Sequence, residues 1–321
     1  MTSATWSAYR GYGYGLRMAP RYDVSGKVVL LTGAARGIGA QTARVLAARG
    51  ARLALVGLEP DLLRELCAEL GDGHVWFEAD VTSQEQLDDA ARRTAAELGG
   101  IDVVMANAGV ASYGTVRQID PEAFARTVEI NLTGVFRTVH AALPYVIERR
   151  GYVLVVASLA SFTPLGGLAA YNASKAGAEA LGLALRQEVA HLGVDVGVCH
   201  PSWIDTDMVR GAMHDLGAFR KTRSMLPWPA HSTTSVEECS LRIADGIARR
   251  RTRIYVPRAV VAANLARAVI SSPLALRLMR SKLATLMPQL ERQVDELGRS
   301  FAAHVPAGST DETIDAARAA R

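Results

Sequence analysis

From Lys27 onward, short apolar runs of strand length alternate with longer segments of helical periodicity, and this alternation constrains the fold more than any other feature. Most of the runs are continuously apolar, as in strands covered on both faces. Such alternation is typical of right-handed β-α-β crossovers in a three-layer α/β fold with a doubly wound parallel sheet. About seven strands are predicted: Val28–Thr32, Arg52–Val56, His74–Glu78, Val103–Ala106, Tyr152–Ala157, Asp195–Cys199 and Arg253–Val256.

Composition narrows the class of protein. Of the 321 residues, 49% are hydrophobic and 21% charged, which is ordinary for a folded domain. Basic residues exceed acidic ones by 36 − 32 = 4, and the densest basic run, at 249–253, falls where a helix should end. We therefore expect no nucleic-acid partner.

The cysteines and histidines do not predict a metal site. Cys67, Cys199 and Cys239 are far apart, and no zinc-ligand spacing joins them to the seven histidines. Isolated thiols suit a reducing compartment. The N-terminus lacks the apolar core of a secretory signal, and no apolar run has the length of about 18 residues that a membrane span requires. A cytoplasmic protein is the resulting expectation.

Two regions interrupt the alternation. A long connection follows the sixth strand, and long connections are usually functional or disordered. After the seventh strand, two extra helices are expected, split near Pro273. The predicted organisation is a mobile arm at 1–24, a main domain at 25–258 with a substrate lid at 202–235, a helical extension at 259–305 and a tail at 306–321.

A glycine-rich turn follows the first strand, in the order Thr32-Gly33-Ala34-Ala35-Arg36-Gly37-Ile38-Gly39. Glycines let a backbone approach a pyrophosphate, and the free N–H groups at a helix start bind anions. The strand-turn-helix context favours a dinucleotide site over a structural turn, although the first gap is one residue longer than in the common fingerprint. We therefore predict a Rossmann-like sheet with cofactor contacts from Gly33, Arg36, Gly37, Ile38 and Gly39.

Further motifs follow the later strands. Asp80-Val81 follows the third strand, Asn107-Ala108-Gly109 the fourth, and Asn131 lies in Glu129-Ile130-Asn131-Leu132-Thr133-Gly134. With the glycine turn, these motifs make residues 26–257 resemble the short-chain dehydrogenase/reductase family in its simple one-domain form. Ser202 replaces the glycine that usually follows the family's proline. The resemblance implies cofactor contacts from Asp80, Val81, Asn107, Ala108, Gly109, Pro201 and Thr206.

Tyr171 and Lys175 lie four residues apart at the start of a predicted helix, so their side chains share one face. A free phenol has a pKa of about 10, and a nearby cation lowers it by roughly 1–3 units. Proton transfer at neutral pH then becomes practical. A Tyr-x-x-x-Lys pair is common on exposed helices, but the family resembled places its catalytic serine at the position of Ser158, with Ser161 as the alternative.

The resemblance implies a role for each of four residues. Tyr171 is the expected acid or base, and Lys175 is its electrostatic partner and a ribose contact. Ser158 would polarise the substrate oxygen, and Asn131 would anchor a water relay. A serine hydrolase is the competing interpretation, but no Gly-x-Ser-x-Gly turn surrounds Ser158. His200 is interpreted as structural.

The end of the second strand bears on the choice of nicotinamide. Proteins that select NAD usually carry an acid there for the ribose 2′-hydroxyl, and in the family resembled it would fall at Gly57. Its absence removes repulsion against a 2′-phosphate, and Arg36 resembles a cation of NADP-preferring members. NAD users also carry such an arginine, and Glu59 remains a candidate ribose contact. We predict NAD(P), with NADP favoured and Gly57 among the cofactor contacts.

The lid and the extension leave alternatives open. The apolar lid favours a hydrophobic alcohol or carbonyl substrate, or else it packs on its own core or on a neighbouring subunit. The extension interleaves leucines with Arg267, Arg277, Arg280 and Lys282. It would pack on the domain, pair with another subunit, or lie on a membrane as a basic amphipathic helix. The first two are favoured, so a homodimer or homotetramer without stable membrane association is expected.

The sequence therefore predicts an NAD(P)-dependent oxidoreductase that interconverts an alcohol and a ketone or aldehyde. The alternative is a non-catalytic NAD(P)-binding sensor or scaffold, and a membrane-bound lipid-modifying enzyme is a third hypothesis. The presence of all four expected catalytic residues argues against the sensor.

Overall fold

A computed structural model describes residues 23–224, 231–299 and 301. Most of the predicted N-terminal arm and the whole predicted tail lie outside these residues. Residues 225–230 of the predicted lid, with Met225 and Trp228, also lie outside them.

Seven strands form one sheet in the order β3-β2-β1-β4-β5-β6-β7, and every neighbouring pair is parallel. The predicted Rossmann-like sheet is confirmed, with strand ends shifted by two residues at most. The order reverses between β1 and β4, which opens a crevice at the carboxyl ends of the strands. The strands are β1 Val28–Thr32, β2 Arg52–Gly57, β3 Val75–Glu78, β4 Val103–Ala106, β5 Tyr152–Val156, β6 Asp195–Pro201 and β7 Arg253–Val256.

Helices connect the strands and extend the chain beyond β7. A π-helical segment, Glu129–Thr133, joins α4 to α5, and short 3-10 turns occupy Leu159–Ser161 and Ala190–Leu192. The α-helices are α1 Gly37–Ala47, α2 Pro60–Leu70, α3 Gln84–Leu98, α4 Pro121–Val128, α5 Gly134–Glu148, α6 Ala169–Val189, α7 Asp207–Asp215, α8 Gly217–Ser224, α9 Val236–Ile247, α10 Val260–Leu265, α11 Arg267–Ile270 and α12 Pro273–Leu297.

Two apolar cores cover the two faces of the sheet. Successive strand residues point to opposite faces, so Leu30 packs into one core and Leu31 into the other. Helices α3, α5 and α6 contribute to the first core, and α1, α2 and α9 to the second. All five residues of β1 are buried, which explains why its sequence is continuously apolar.

The extension contains three helices, so the prediction of two was wrong. The chain breaks at Ala266 between α10 and α11, a position without a proline or glycine signal. The predicted break near Pro273 is present, with Ser272 capping α12 through a hydrogen bond from the Ala275 amide at 3.2 Å. The last turns of α12 pack on the domain through Leu290 and Val294.

Candidate functional site

A single cleft at the carboxyl ends of the strands gathers most of the predicted site residues. Two predicted residues do not line it: Gly39 lies behind the glycine turn, and Asn131 is fully buried beneath the cleft. The predicted residues that line the cleft are Gly33, Arg36, Gly37, Ile38, Gly57, Asp80, Val81, Asn107, Ala108, Gly109, Ser158, Tyr171, Lys175, Pro201 and Thr206.

The glycine turn has no room for side chains. A Cβ on Gly33 would lie 2.8 Å from the Cα of Ala108, and a Cβ on Gly39 would lie 2.0 Å from the carbonyl oxygen of Gly33. Gly33 and Gly37 also have φ angles of +64° and +52°, which other residues rarely adopt. The turn therefore presents bare backbone at the start of α1, as an anion-binding loop requires.

Asn107 fixes this turn to the end of β4. Its side-chain amide donates to the carbonyl oxygens of Thr32 and Gly33, each at 3.1 Å. The side-chain amide of Asn107 therefore donates its hydrogen bonds to the protein backbone. Asn107 thus positions the turn, in addition to lining the cleft.

Two charged pairs stand at the far end of the cleft. Arg36 of the glycine turn forms an ion pair with Glu59, and both residues line the cleft. Asp80 faces the cleft after β3, where its carboxylate accepts from the Thr82 amide at 2.8 Å and lies 3.3 Å from the guanidinium of Arg126. The Arg36 charge therefore has a counter-ion already.

Tyr171 and Lys175 project from the first turns of α6, as predicted. The side-chain nitrogen of Lys175 lies 5.9 Å from the centre of the Tyr171 ring. Lys175 is only 4% exposed and donates to the carbonyl oxygen of Val156 at 2.9 Å. One helical turn thus places a phenol and a buried amine at the same wall of the cleft.

The electrostatics of this pair differ from the prediction. Burial raises the pKa of Tyr171, and a hydrogen bond with Ser158 only partly opposes that rise. Burial also lowers the pKa of Lys175 to about 8. The expected net lowering of the Tyr171 pKa is therefore wrong for the protein alone, because desolvation by burial outweighs the opposing hydrogen bond with Ser158.

Ser158 caps the 3-10 turn that follows β5. Its hydroxyl accepts from the Ala160 amide at 3.1 Å and lies 3.5 Å from the carbonyl oxygen of Pro201. The alternative candidate, Ser161, donates instead to the backbone carbonyl of Lys175 at 3.0 Å. Ser158 is therefore the serine that faces Tyr171.

Asn131 lies in the π-helical segment between α4 and α5. Its side chain accepts from the Val110 amide at 2.8 Å, and it donates to the Val110 carbonyl at 2.8 Å and to the Ser174 hydroxyl at 3.1 Å. A Cβ on Gly109 would come within 3.0 Å of Asn131 and 3.3 Å of Lys175. Asn131 thus joins the loop after β4 to α6.

An apolar cluster packs beside the cleft, and of its described members only Tyr171 and Met208 also line the cleft. Tyr113, Phe219, Leu290 and Val294 are buried there. Tyr171 packs against this group, as do Met208, Met213 and Met287. We call this group the outer apolar wall. Leu290 and Met287 come from α12, which the sequence did not assign to the site, although their spacing with Val294 is that of a helix face.

A second ionic group is buried behind the site. Glu179, one turn after Lys175 on α6, lies 3.4 Å from the Nε2 atom of His200 and 2.9 Å from the guanidinium of Arg253. His200 stacks on Tyr255 and is fully buried. Burial alone would raise the pKa of Glu179, but His200 and Arg253 beside it hold that pKa at about 2.

Comparison with known families decides the class of protein. The profile of the short chain dehydrogenase family matches residues 27–217. The chain belongs to the short-chain dehydrogenase family. Its Rossmann-like sheet and glycine turn are the nucleotide-binding fold of that family of oxidoreductases.

Individual members resemble the chain over the same region. A 2,3-dihydro-2,3-dihydroxybenzoate dehydrogenase of Bacillus subtilis is 34% identical over 189 residues, which cover 58% of this chain and 72% of that protein. A 3-oxoacyl-[acyl-carrier-protein] reductase of Escherichia coli K12 is 32% identical over 194 residues, which cover 60% of this chain and 80% of that protein. These relatives place the chain among dehydrogenases and reductases.

A solved structure shares the fold. The 3-ketoacyl-(acyl-carrier-protein) reductase of Brucella melitensis, complexed with NADH, superposes with a TM-score of 0.66 at 25% identity. The superposition covers 73% of this chain and 97% of that one. The family assignment supports an NAD(P)-dependent oxidoreductase.

The described residues hold neither a metal-ligand cluster nor a helix suited to crossing a membrane. In residues 23–224 and 231–299, no three His, Cys, Asp or Glu side chains cluster as metal ligands would. The helices within that part of the chain also lack the combination of length and apolar character that crossing a bilayer requires.

Proposed function

We propose that the protein interconverts a hydrophobic alcohol and the corresponding ketone or aldehyde, with an NAD(P) cofactor and with Tyr171 as the general acid or base. The observation that carries the proposal is the convergence of Tyr171, Ser158 and Lys175 at one wall of a cleft. The opposite end of that cleft is a glycine cradle that side chains would fill.

The cradle fits a dinucleotide. Gly33, Gly37 and Ile38 would hold the pyrophosphate on backbone amides, and Asp80 and Val81 would flank the adenine. Pro201 and Thr206 would hold the nicotinamide end, and Lys175 the ribose. When bound, the cofactor supplies or accepts the hydride.

Tyr171 moves the proton. In carbonyl reduction, the Tyr171 hydroxyl gives its proton to the substrate oxygen, and a raised phenol pKa keeps that proton in place at neutral pH. In alcohol oxidation, the phenolate takes the alcohol proton. Ser158 donates a hydrogen bond to the same substrate oxygen and stabilises its developing charge. Lys175, with a pKa of about 8, is mostly cationic at pH 7 and stabilises the phenolate.

NADP is the proposed preference. The protein has a glycine at position 57, where an acidic side chain would repel a 2′-phosphate. Arg36 lies at the same end of the cleft. The ion pair with Glu59 partly neutralises Arg36, so the expected selectivity over NAD is modest.

The outer apolar wall supports a hydrophobic substrate. Met208 lines the cleft and Met287 packs in the same apolar group as Tyr171, and methionine adapts its shape to apolar ligands. Apolar pocket walls with a few polar groups at the reacting atoms are typical of sites for small hydrophobic molecules. Residues 202–235 would then act as the lid. The cytoplasmic location and the homodimer or homotetramer remain predictions.

A panel of hydrophobic alcohols and ketones, assayed with NAD(H) and NADP(H) at the absorbance band of the reduced cofactor, tests the proposal. Turnover of at least one apolar substrate is expected. Folded protein that binds a nicotinamide and turns over no member of the panel would favour the sensor alternative. Folded protein that binds neither nicotinamide would contradict the proposal.

A further inference from the structure

The helical extension carries an exposed apolar surface. Leu265 is 80% exposed, Leu278 is 72% exposed and Val269 is 68% exposed. In the described parts of the chain, most large apolar side chains this accessible belong to one short stretch. We call that stretch the apolar tip, and it comprises Val261, Leu265, Val269, Ile270, Leu274, Leu276, Leu278 and Met279.

On α12, the residues of the apolar tip point to more than one side of the helix. An α-helix turns by about 100° per residue, so Leu274 and Leu278 lie on one side and Leu276 and Met279 on the other. A protein partner that packs along one side of α12 would leave the other leucines in water. Large apolar side chains exposed on more than one side of a helix are normally covered by a core, a partner or a lipid phase.

Charge distinguishes among possible occupants. Residues 258–290 contain five basic side chains and no Asp or Glu. Arg277, Arg280 and Lys282 are exposed, and no described carboxylate forms an ion pair with them. A symmetric dimer through this surface would place the same cations against each other. An anionic lipid surface would attract them and accept the leucines.

We propose that the apolar tip and its basic residues dock the protein on the surface of an anionic lipid bilayer, with the leucines inserted and no segment crossing. The sequence favoured packing or oligomerisation for this extension. Within the described residues, the exposed side chains of the tip do not pack on the domain, and the positive charge of this stretch disfavours self-association. The other half of α12 is buried through Leu286, Leu290 and Val294, so docking would hold the whole domain at the membrane.

Vesicle flotation of the full-length protein tests this inference independently of catalysis. Phosphatidylcholine vesicles are compared with vesicles that also contain phosphatidylglycerol, at low and high sodium chloride. Wild-type protein should float with the anionic vesicles, less so at high salt. The double substitution Leu274→Glu/Leu278→Glu should weaken partitioning at least about tenfold, because two leucines that would insert into the bilayer are lost. Arg277→Gln/Arg280→Gln/Lys282→Gln should weaken it roughly 100-fold on anionic vesicles.

Leu241→Glu is the matched control, since Leu241 is 49% exposed on α9, outside the tip. It should float like the wild type, and thermal unfolding should show that all variants are folded. The inference would be overturned if the wild-type protein floated with neither type of vesicle, or if the tip variants floated as well as the wild type. So would a dimer, seen by light scattering, that the leucine substitutions dissociate while vesicles bind neither form.

Discussion

The side-chain nitrogen of Lys175 lies 5.9 Å from the centre of the Tyr171 ring, above the phenol that the site presents to its cleft. Both groups are desolvated, and desolvation disfavours the charged form of each. The pair therefore rests as a neutral phenol beside an amine that is easily deprotonated. This arrangement suits a residue that must give up a proton and recover it.

Lys175 should lower the free energy of unfolding at neutral pH. Its pKa is lowered from 10.5 to about 8, so between these pH values the unfolded chain binds more protons than the native one. Wild-type stability should rise with pH in that window, relative to Lys175→Met, by roughly 2 kcal/mol between pH 7 and pH 10. Urea unfolding of both proteins at the two pH values measures this difference. A constant difference would show that Lys175 titrates normally.

Gly57 should control the choice of nicotinamide. A Cβ at Gly57 would lie 3.7 Å from Leu63 and 3.9 Å from the backbone nitrogen of Ala34, which are ordinary contact distances, so the position accepts a side chain. Gly57→Asp should lower the ratio of kcat/KM for NADP to that for NAD at least about tenfold, because the carboxylate repels a 2′-phosphate and binds a 2′-hydroxyl. Gly57→Ala is the uncharged control. An equal change of the NADP-to-NAD ratio in both variants would mean that the size of the side chain, and not its charge, causes the effect.

Glu179 should stabilise the protein above acidic pH. Its pKa is lowered from 4.5 to about 2 in the native state, so its contribution is complete above pH 4.5 and is lost as the pH falls through 2. The Tm deficit of Glu179→Gln should therefore be largest at neutral pH and shrink toward pH 2. Differential scanning calorimetry across this range measures it. The control is Glu238→Gln, whose carboxylate forms a partly exposed pair with Arg242. A deficit for Glu179→Gln that is independent of pH would contradict the ionic account.

Met287 should discriminate among substrates. It packs in the outer apolar wall with Tyr171 and lies against Gly166. Met287→Ala should lower kcat/KM for a bulky apolar alcohol roughly tenfold and leave a short alcohol nearly unchanged, because only the larger substrate reaches α12. Leu241→Ala on α9 is the control. Equal losses on both alcohols would mean that Met287 supports the fold and makes no contact with substrate.

The central sheet was predictable from the sequence because most of its strands are buried on both faces and read as apolar runs, although the edge strands β3 and β7 are only partly buried. Val28–Thr32, Val103–Ala106 and Arg253–Val256 have the predicted bounds. The extension was less predictable. No proline or glycine marks its break at Ala266. The leucine content of its exposed part is also typical of a packed helix, so composition did not reveal the exposure.

The site was predictable where one helix or one turn determines the geometry. Tyr171 and Lys175 share a face because they are one helical turn apart, and the glycine turn folds locally. Contacts between distant segments were not predictable. The pairing of Arg36 with Glu59 depends on how two loops meet, and the contribution of α12 to the outer wall depends on tertiary packing. The direction of the Tyr171 pKa shift was mispredicted because spacing reveals the cation and not the burial.

The most direct test of the account compares wild-type protein with Tyr171→Phe in two measurements on the same preparations. Fluorescence titration gives the Kd for the reduced nicotinamide, and steady-state assay of the best apolar substrate gives kcat. We predict a Kd within about twofold of the wild type, and a kcat lower by roughly 100- to 10,000-fold, because only the proton-transferring hydroxyl is lost. A Tyr171→Phe protein that binds the cofactor and keeps its turnover would contradict the assignment of Tyr171 as the proton donor and acceptor.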